Sequence, residues 1–190
     1  GPGSPTATDQ GTPAAVPSVG EPALGTAEES VKEWQVHTNE KYGFQYRYPS
    51  DWTLESVPTV GIDVFEGEAV LEAIQLTPTA AQPAGFAIQL HLETNARQYP
   101  AASFSGLHPA RGEDRTPLTL HNVRAVKYKS VVLKTRQNRW TTFAATADNG
   151  PMLVIEFLSP LDFDEFDPAY LRAERILTTI EPQYLLNKSE

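Results

Sequence analysis

Cysteine is absent from the 190-residue chain. That excludes disulfides, thiolate zinc sites and cysteine nucleophiles, and it leaves the compartment open. Long apolar runs are absent too: no stretch approaches the ~18 consecutive apolar residues of a membrane-spanning helix. There is no G-x-G-x-x-G, no P-loop and no G-x-S-x-G elbow, so the common phosphate-binding and hydrolase signatures are missing. The four histidines, His37, His91, His108 and His121, include no pair at the HxxxH or HExxH spacing of a helical zinc site. Basic residues are in deficit. Fifteen Lys/Arg against 24 Asp/Glu give a net charge of −9, which disfavours nucleic acid as a partner.

What remains is an ordinary globular composition with an uneven layout. Gly1-Pro2-Gly3-Ser4 reads as the remnant of a cleaved tag, so any export signal or lipid-anchor cysteine is expected upstream. Residues 5–30 hold Pro5, Pro13, Pro17 and Pro22 in a Thr/Ala/Gly background without an aromatic. Such a segment buries too little apolar surface to offset its ordering entropy, and it reads as a disordered tether. Residues 31–190 read as one folded domain, large enough for a core without staples.

Within that domain the period-two signal dominates. Trp34–Thr38 reads as a strand, and so does Phe44-Gln45-Tyr46-Arg47-Tyr48, whose three rings fall on one face and are expected in the core. Pro49 stops that strand. Trp52–Glu55, a short Ile62–Phe65, Ala69–Thr77, Gly85–Leu92, Leu118–Leu120 and Val123–Leu133 are further expected strands. Residues 94–117 hold Pro100, Pro109 and Pro117 and leave room for at most a short helix. A turn is expected over Arg136–Arg139. Trp140–Ala147 and Met152–Leu158 flank Asp148-Asn149-Gly150, the clearest hairpin signal in the chain. One helix is well marked: Asp167 as N-cap, Pro168 in the first turn, and Tyr170, Ala173, Leu177 and Ile180 on one stripe. Many antiparallel strands with a helix at the end make an α+β fold.

The opening of the domain then becomes recognisable. Trp34, Asn39-Glu40-Lys41-Tyr42-Gly43-Phe44 and Tyr48-Pro49-Ser50-Asp51-Trp52 resemble the start of PsbP-like domains. The hairpin of residues 140–158, followed by a helix running into Leu177-Thr178-Thr179-Ile180, resembles their end. The resemblance implies an α/β/α sandwich with a central, mainly antiparallel sheet and a C-terminal helix. It also implies kinship with bacterial lipoprotein-type members, which are extracytoplasmic and carry a low-complexity tether. The calcium- and chloride-retaining role of plant members is not carried over, because no ion-site motif matches. Residues 94–117 depart from the pattern.

Four groups of residues are candidates for chemistry. His91 reads as a surface or half-buried strand histidine. Ser103, Ser105 and His108 are neighbours in sequence, but a proline-rich loop does not suggest the geometry of a nucleophile and its base. Asp162, Asp164, Glu165 and Asp167 offer carboxylates to a calcium ion but lack the glycine and distal glutamate of an EF-hand. They read instead as a solvated loop that caps the helix, anchored by Phe163 and Phe166. The fourth group is basic. Residues 111–139 carry eight basic residues and two acidic ones, a local charge of +6 that leaves −15 for the rest of the chain. Lys127 and Lys129 share a strand face, Lys134 and Arg136 share one further along, and Arg139 is expected at the turn. A bend at Ser130 or Val131 would bring the two pairs together.

These observations lead to a non-catalytic binding or accessory module in the cell envelope, requiring no cofactor. Its partner is expected to be an envelope protein or an anionic envelope polymer, met through Lys127, Lys129, Lys134, Arg136 and Arg139. Membrane attachment is expected only through an N-terminal anchor upstream. The alternative is a small-ligand or calcium-binding protein that uses a pocket between sheet and helix, or the 162–167 loop.

Overall fold

A computed structural model describes residues 30–79, 86–163 and 167–188. The tag remnant and nearly all of the expected tether lie outside the described residues, as do Asp164, Glu165 and Phe166. Among the described residues, nine strands follow a 3₁₀ turn at Val31–Glu33: β1 (Gln35–Asn39), β2 (Phe44–Tyr48), β3 (Trp52–Ser56), β4 (Val70–Pro78), β5 (Ala87–Glu93), β6 (Thr116–Leu120), β7 (Val123–Val132), β8 (Gln137–Ala145) and β9 (Met152–Pro160). Helix α1 (Ala101–Gly106) lies between β5 and β6, while α2 (Pro168–Thr179) and α3 (Tyr184–Lys188) close the chain.

Seven strands form one antiparallel sheet in the order β3-β4-β5-β9-β8-β7-β6. Alternation gives that sheet two buried faces. On the first, Ile88, Leu90, Leu92, Leu153, Ile155, Trp140 and Phe157 pack against Ala169, Ala173 and Ile176 of α2 and the rings of β2. On the second, Val126, Tyr128, Phe143, Ala145, Met152 and Val154 pack against Ala101 and Phe104 of α1 and against Phe65. A fully buried side chain such as Phe143 or Ile176 contributes about 1.5–3 kcal/mol. This is a helix-covered sheet on both faces, the second cover thin because α1 is a single short helix.

The rings of β2 are core, as their spacing requires: Phe44, Tyr46 and Tyr48 are all buried. They do not join the main sheet. β1 and β2 form a separate two-stranded ribbon. It is stitched to the end of the chain by reciprocal backbone bonds between Gln45 and Glu181 (3.1 and 2.8 Å), by the Arg47 amide donating to Thr179 Oγ1 (3.0 Å), and by the Leu185 amide donating to the Gly43 carbonyl (3.1 Å). Asp167 caps α2 through a bond from the Ala169 amide (2.8 Å). Phe163 anchors its loop in a ring cluster with Phe86, Trp140, Phe157 and Tyr170.

Three expectations are corrected. Ile62–Phe65 is not a strand. Gly61 and Gly67 take left-handed backbone (φ 86° and 89°) on either side of it, and Phe65 turns inward to the second core. The turn after β7 falls at residues 133–136, with Arg136 at φ 57°, so β8 starts at Gln137 and holds Arg139 inside the strand. β6 begins at Thr116 and includes Pro117, which an edge strand accommodates.

Candidate functional site

His91 and Glu93 stand two residues apart on β5 and therefore share a face, the one covered by α1. The chain leaves α1 through a tight turn that drops His108 onto the same spot, its ring edge-on to Phe143 at 4.9 Å. His91 Nε2 and His108 Nε2 each lie 2.6 Å from Glu93 Oε2. The Phe65 amide donates to the other carboxylate oxygen, Oε1, at 3.0 Å. All three titratable side chains are buried, with Glu93 and His108 at 0% exposure. The expectation that His91 lies at or near the surface is thus overturned. A histidine and a glutamate interrupting an apolar strand carry a signal of pairing, but their partner is distant in sequence.

Burial alone would push the Glu93 carboxyl up. The hydrogen bonds from His108 and His91, with the electrostatic influence of the His108 ring and the Phe65 amide, more than reverse this and bring it down to about 2. Next to the cluster, burial pushes the Glu156 carboxyl up, opposed by Arg139 at 3.7 Å.

The three donor atoms lie within 4.8 Å of one another, the one such group among the described residues. The second contact of His108 decides between a metal centre and a hydrogen-bonded clip. His108 Nδ1 accepts the Ala110 amide proton at 2.9 Å. Nδ1 therefore presents its lone pair, and the ring proton of neutral His108 sits on Nε2, facing Glu93. A cation on Nε2 would need that proton moved to Nδ1, against another N–H donor. Metal-bound histidines instead donate their second nitrogen to an acceptor. The donor set fits a clip that ties α1 and the Phe65 loop to β5.

The serines do not complete a catalytic pair. Ser105 is buried but its hydroxyl donates to the Ala102 carbonyl (3.1 Å), and Ser103 is exposed. His121 and Asn122, both at positive φ, form the two-residue turn between β6 and β7. Of the acidic run, Asp162 is exposed, Asp167 serves as the α2 cap, and Asp164 and Glu165 lie outside the described residues.

The five basic residues do not converge on one patch. Lys127 and Lys129 share the α2 face, where Lys127 pairs with Glu174 (3.1 Å) and Lys129 lies over the Trp140 ring. Arg139 is on the other face, since it pairs across the strand with Ser130, to which it donates at 3.1 Å. Lys134 and Arg136 are exposed in the hairpin turn, beside Leu133 (81% exposed) and Val131 (48%). Between sheet and α2 the interior space is about 30 Å³. That is water-sized, far below the ≈ 300–1,000 Å³ of a ligand pocket.

No family model matches the sequence, and neither does any curated protein. In structure the chain is similar to the solution structure of cyanobacterial PsbP (CyanoP) from Synechocystis sp. PCC 6803. The TM-score is 0.52 at 8% identity, over 80% of this chain and 94% of that one. It is also similar to a crystal structure from Bacteroides thetaiotaomicron VPI-5482, with a TM-score of 0.46 at 9% identity, over 78% of this chain and 48% of that one. The fold is PsbP-like.

Proposed function

We propose that this PsbP-like domain is a non-catalytic accessory module that holds an acidic envelope protein or an anionic envelope polymer at its surface. The β7–β8 hairpin tip carries this reading. Leu133 and Val131 are exposed there beside Lys134 and Arg136, in a chain whose net charge is −9. Exposed aliphatics ringed by cations on an otherwise acidic protein are the ingredients of an apolar contact with electrostatic selection. Lys127, Lys129 and Arg139 extend positive charge along the same two strands, though their present contacts make them weaker candidates than the tip. The clip of His91, Glu93 and His108 supports a structural assignment for the most chemically rich cluster, because its groups are spent on one another. Extracytoplasmic placement and tethering rest on the resemblance and on the proline-rich composition of residues 5–30.

The test is retention of envelope components by the immobilised full chain at low and moderate salt, beside a Lys134→Glu/Arg136→Glu variant of unchanged melting temperature. A component held by the wild type and released by the variant supports the reading. A component held equally by both removes the tip from the function.

A further inference from the structure

A second surface lies at the far edge of the sheet, beside α1. A groove of about 930 Å³ runs there along β6, walled by the first turn of α1 and by the β8–β9 turn. Its floor is small and apolar, with Pro117 of β6, Val126 of β7, Ala145 of β8 and Ala101 of α1. Two cations line its β6–β7 side, Arg115 and Arg124. Both are exposed, and neither has an acidic partner among the described residues. Unpaired guanidiniums beside an apolar trough, in a chain of net charge −9, call for an anionic occupant.

Spacing narrows the occupant. Arg124 pairs in register with Thr119, and Arg115 immediately precedes Thr116, so the two arginines are four residues apart along β6. At 3.3 Å per residue this is about 13 Å. An extended chain repeats its side chains on one face every two residues, so residues i and i+4 span the same distance on that face, with i+2 between them. Strand addition is disfavoured, because Pro117 removes an amide donor from the outer edge of β6. Recognition must therefore come from the side chains.

We propose that this groove binds an extended segment of a partner protein with the pattern acidic-x-apolar-x-acidic. Arg115 and Arg124 each hold one carboxylate, and the central apolar side chain lies on the Val126–Ala145 floor. Asp148, on the β8–β9 wall, disfavours an acidic side chain turned toward that wall. The proposal rests on the binding-module reading and adds to it a site separate from the hairpin tip.

The probe is an array of labelled seven-residue peptides of the form Gly-acidic-Thr-apolar-Thr-acidic-Gly, with lysine-for-acid and scrambled controls, titrated against the full chain by fluorescence anisotropy. Saturable binding is expected for members of the acidic set. Arg115→Gln and Arg124→Gln should each weaken it about tenfold, as loss of one charge-assisted contact does, and Lys134→Glu/Arg136→Glu should leave it unchanged. Absence of binding across the acidic set, equal binding of the lysine set, or indifference to both arginine variants overturns the proposal. So does concentration-dependent self-association in sedimentation that Arg115→Gln abolishes, which would make a second copy the occupant. If no acidic peptide binds while the hairpin variant still loses its envelope component, the module reading stands and the groove reading falls.

Discussion

His91 and His108 direct their Nε2 atoms at one and the same oxygen, Oε2 of Glu93, each from 2.6 Å. One carboxylate thereby joins a sheet strand to the turn that follows α1, and its second oxygen holds the Phe65 loop. Three segments distant in sequence share a single buried anchor.

Glu93→Gln keeps the shape and removes the charge. It also sets an amide donor among donors, so stability should fall by about 2–4 kcal/mol, in line with losing hydrogen bonds to a buried charge. His108→Gln keeps a donor toward Glu93 and an acceptor toward Ala110, and should cost much less. Urea denaturation of both variants measures the difference. Equal, small losses would mean that the carboxylate does not anchor these segments.

The same contacts set an acid limit. The folded-state value of Glu93, about 2, is below the ordinary 4.5, so the unfolded chain takes up this proton first as pH falls. The stabilisation is present in full above about pH 4.5, declines below it and is gone under about pH 2. Its size is roughly 3 kcal/mol by linkage. Denaturation midpoints measured across that window should fall more steeply for the wild type than for Glu93→Gln. Parallel curves would assign the acid sensitivity elsewhere.

Divalent metals should leave the protein's melting temperature unchanged at neutral pH, because the Ala110 amide occupies the wrong side of His108 for a ligand. A ligand that prefers the native state raises its stability in proportion to RT ln(1 + [L]/Kd). A zinc- or nickel-dependent rise that disappears in His108→Gln would show that the ring can switch its proton and coordinate.

Gly112 is fixed by crowding. A Cβ there would stand 1.8 Å from the Lys129 carbonyl oxygen, the acceptor of the Glu113 amide at 3.2 Å. Gly112→Ala should lift this loop from the β7 edge at a cost of about 1–3 kcal/mol. Faster hydrogen exchange at the Glu113 amide reports the detachment; unchanged exchange and stability would show that the loop yields elsewhere.

Local signals led furthest where the structure is local. Asp148-Asn149-Gly150 located the β8–β9 hairpin, and Asp167-Pro168 located the start of α2, because turn and cap chemistry act over three or four residues. Alternation also identified the buried rings of β2. It did not say that β1 and β2 leave the main sheet, since the deciding contacts are with residues 179–185. Register was the weaker point on the basic strands: a turn placed at 136–139 instead of 133–136 hides Arg139 on the opposite face from Lys129. The clip was half legible. His91 and Glu93 share a face by parity alone, whereas His108 arrives from 15 residues away through a turn with no sequence signature of its own.

The stitch between Gln45 and Glu181 has a consequence for biosynthesis. These residues are 136 positions apart, and the ribbon of β1 and β2 has no place in the seven-stranded sheet. At about 5–20 residues per second, an emerging ribbon waits roughly 7–27 s for its docking partner. During that interval the rings of Phe44, Tyr46 and Tyr48 are uncovered on the nascent chain, where a chaperone can meet them.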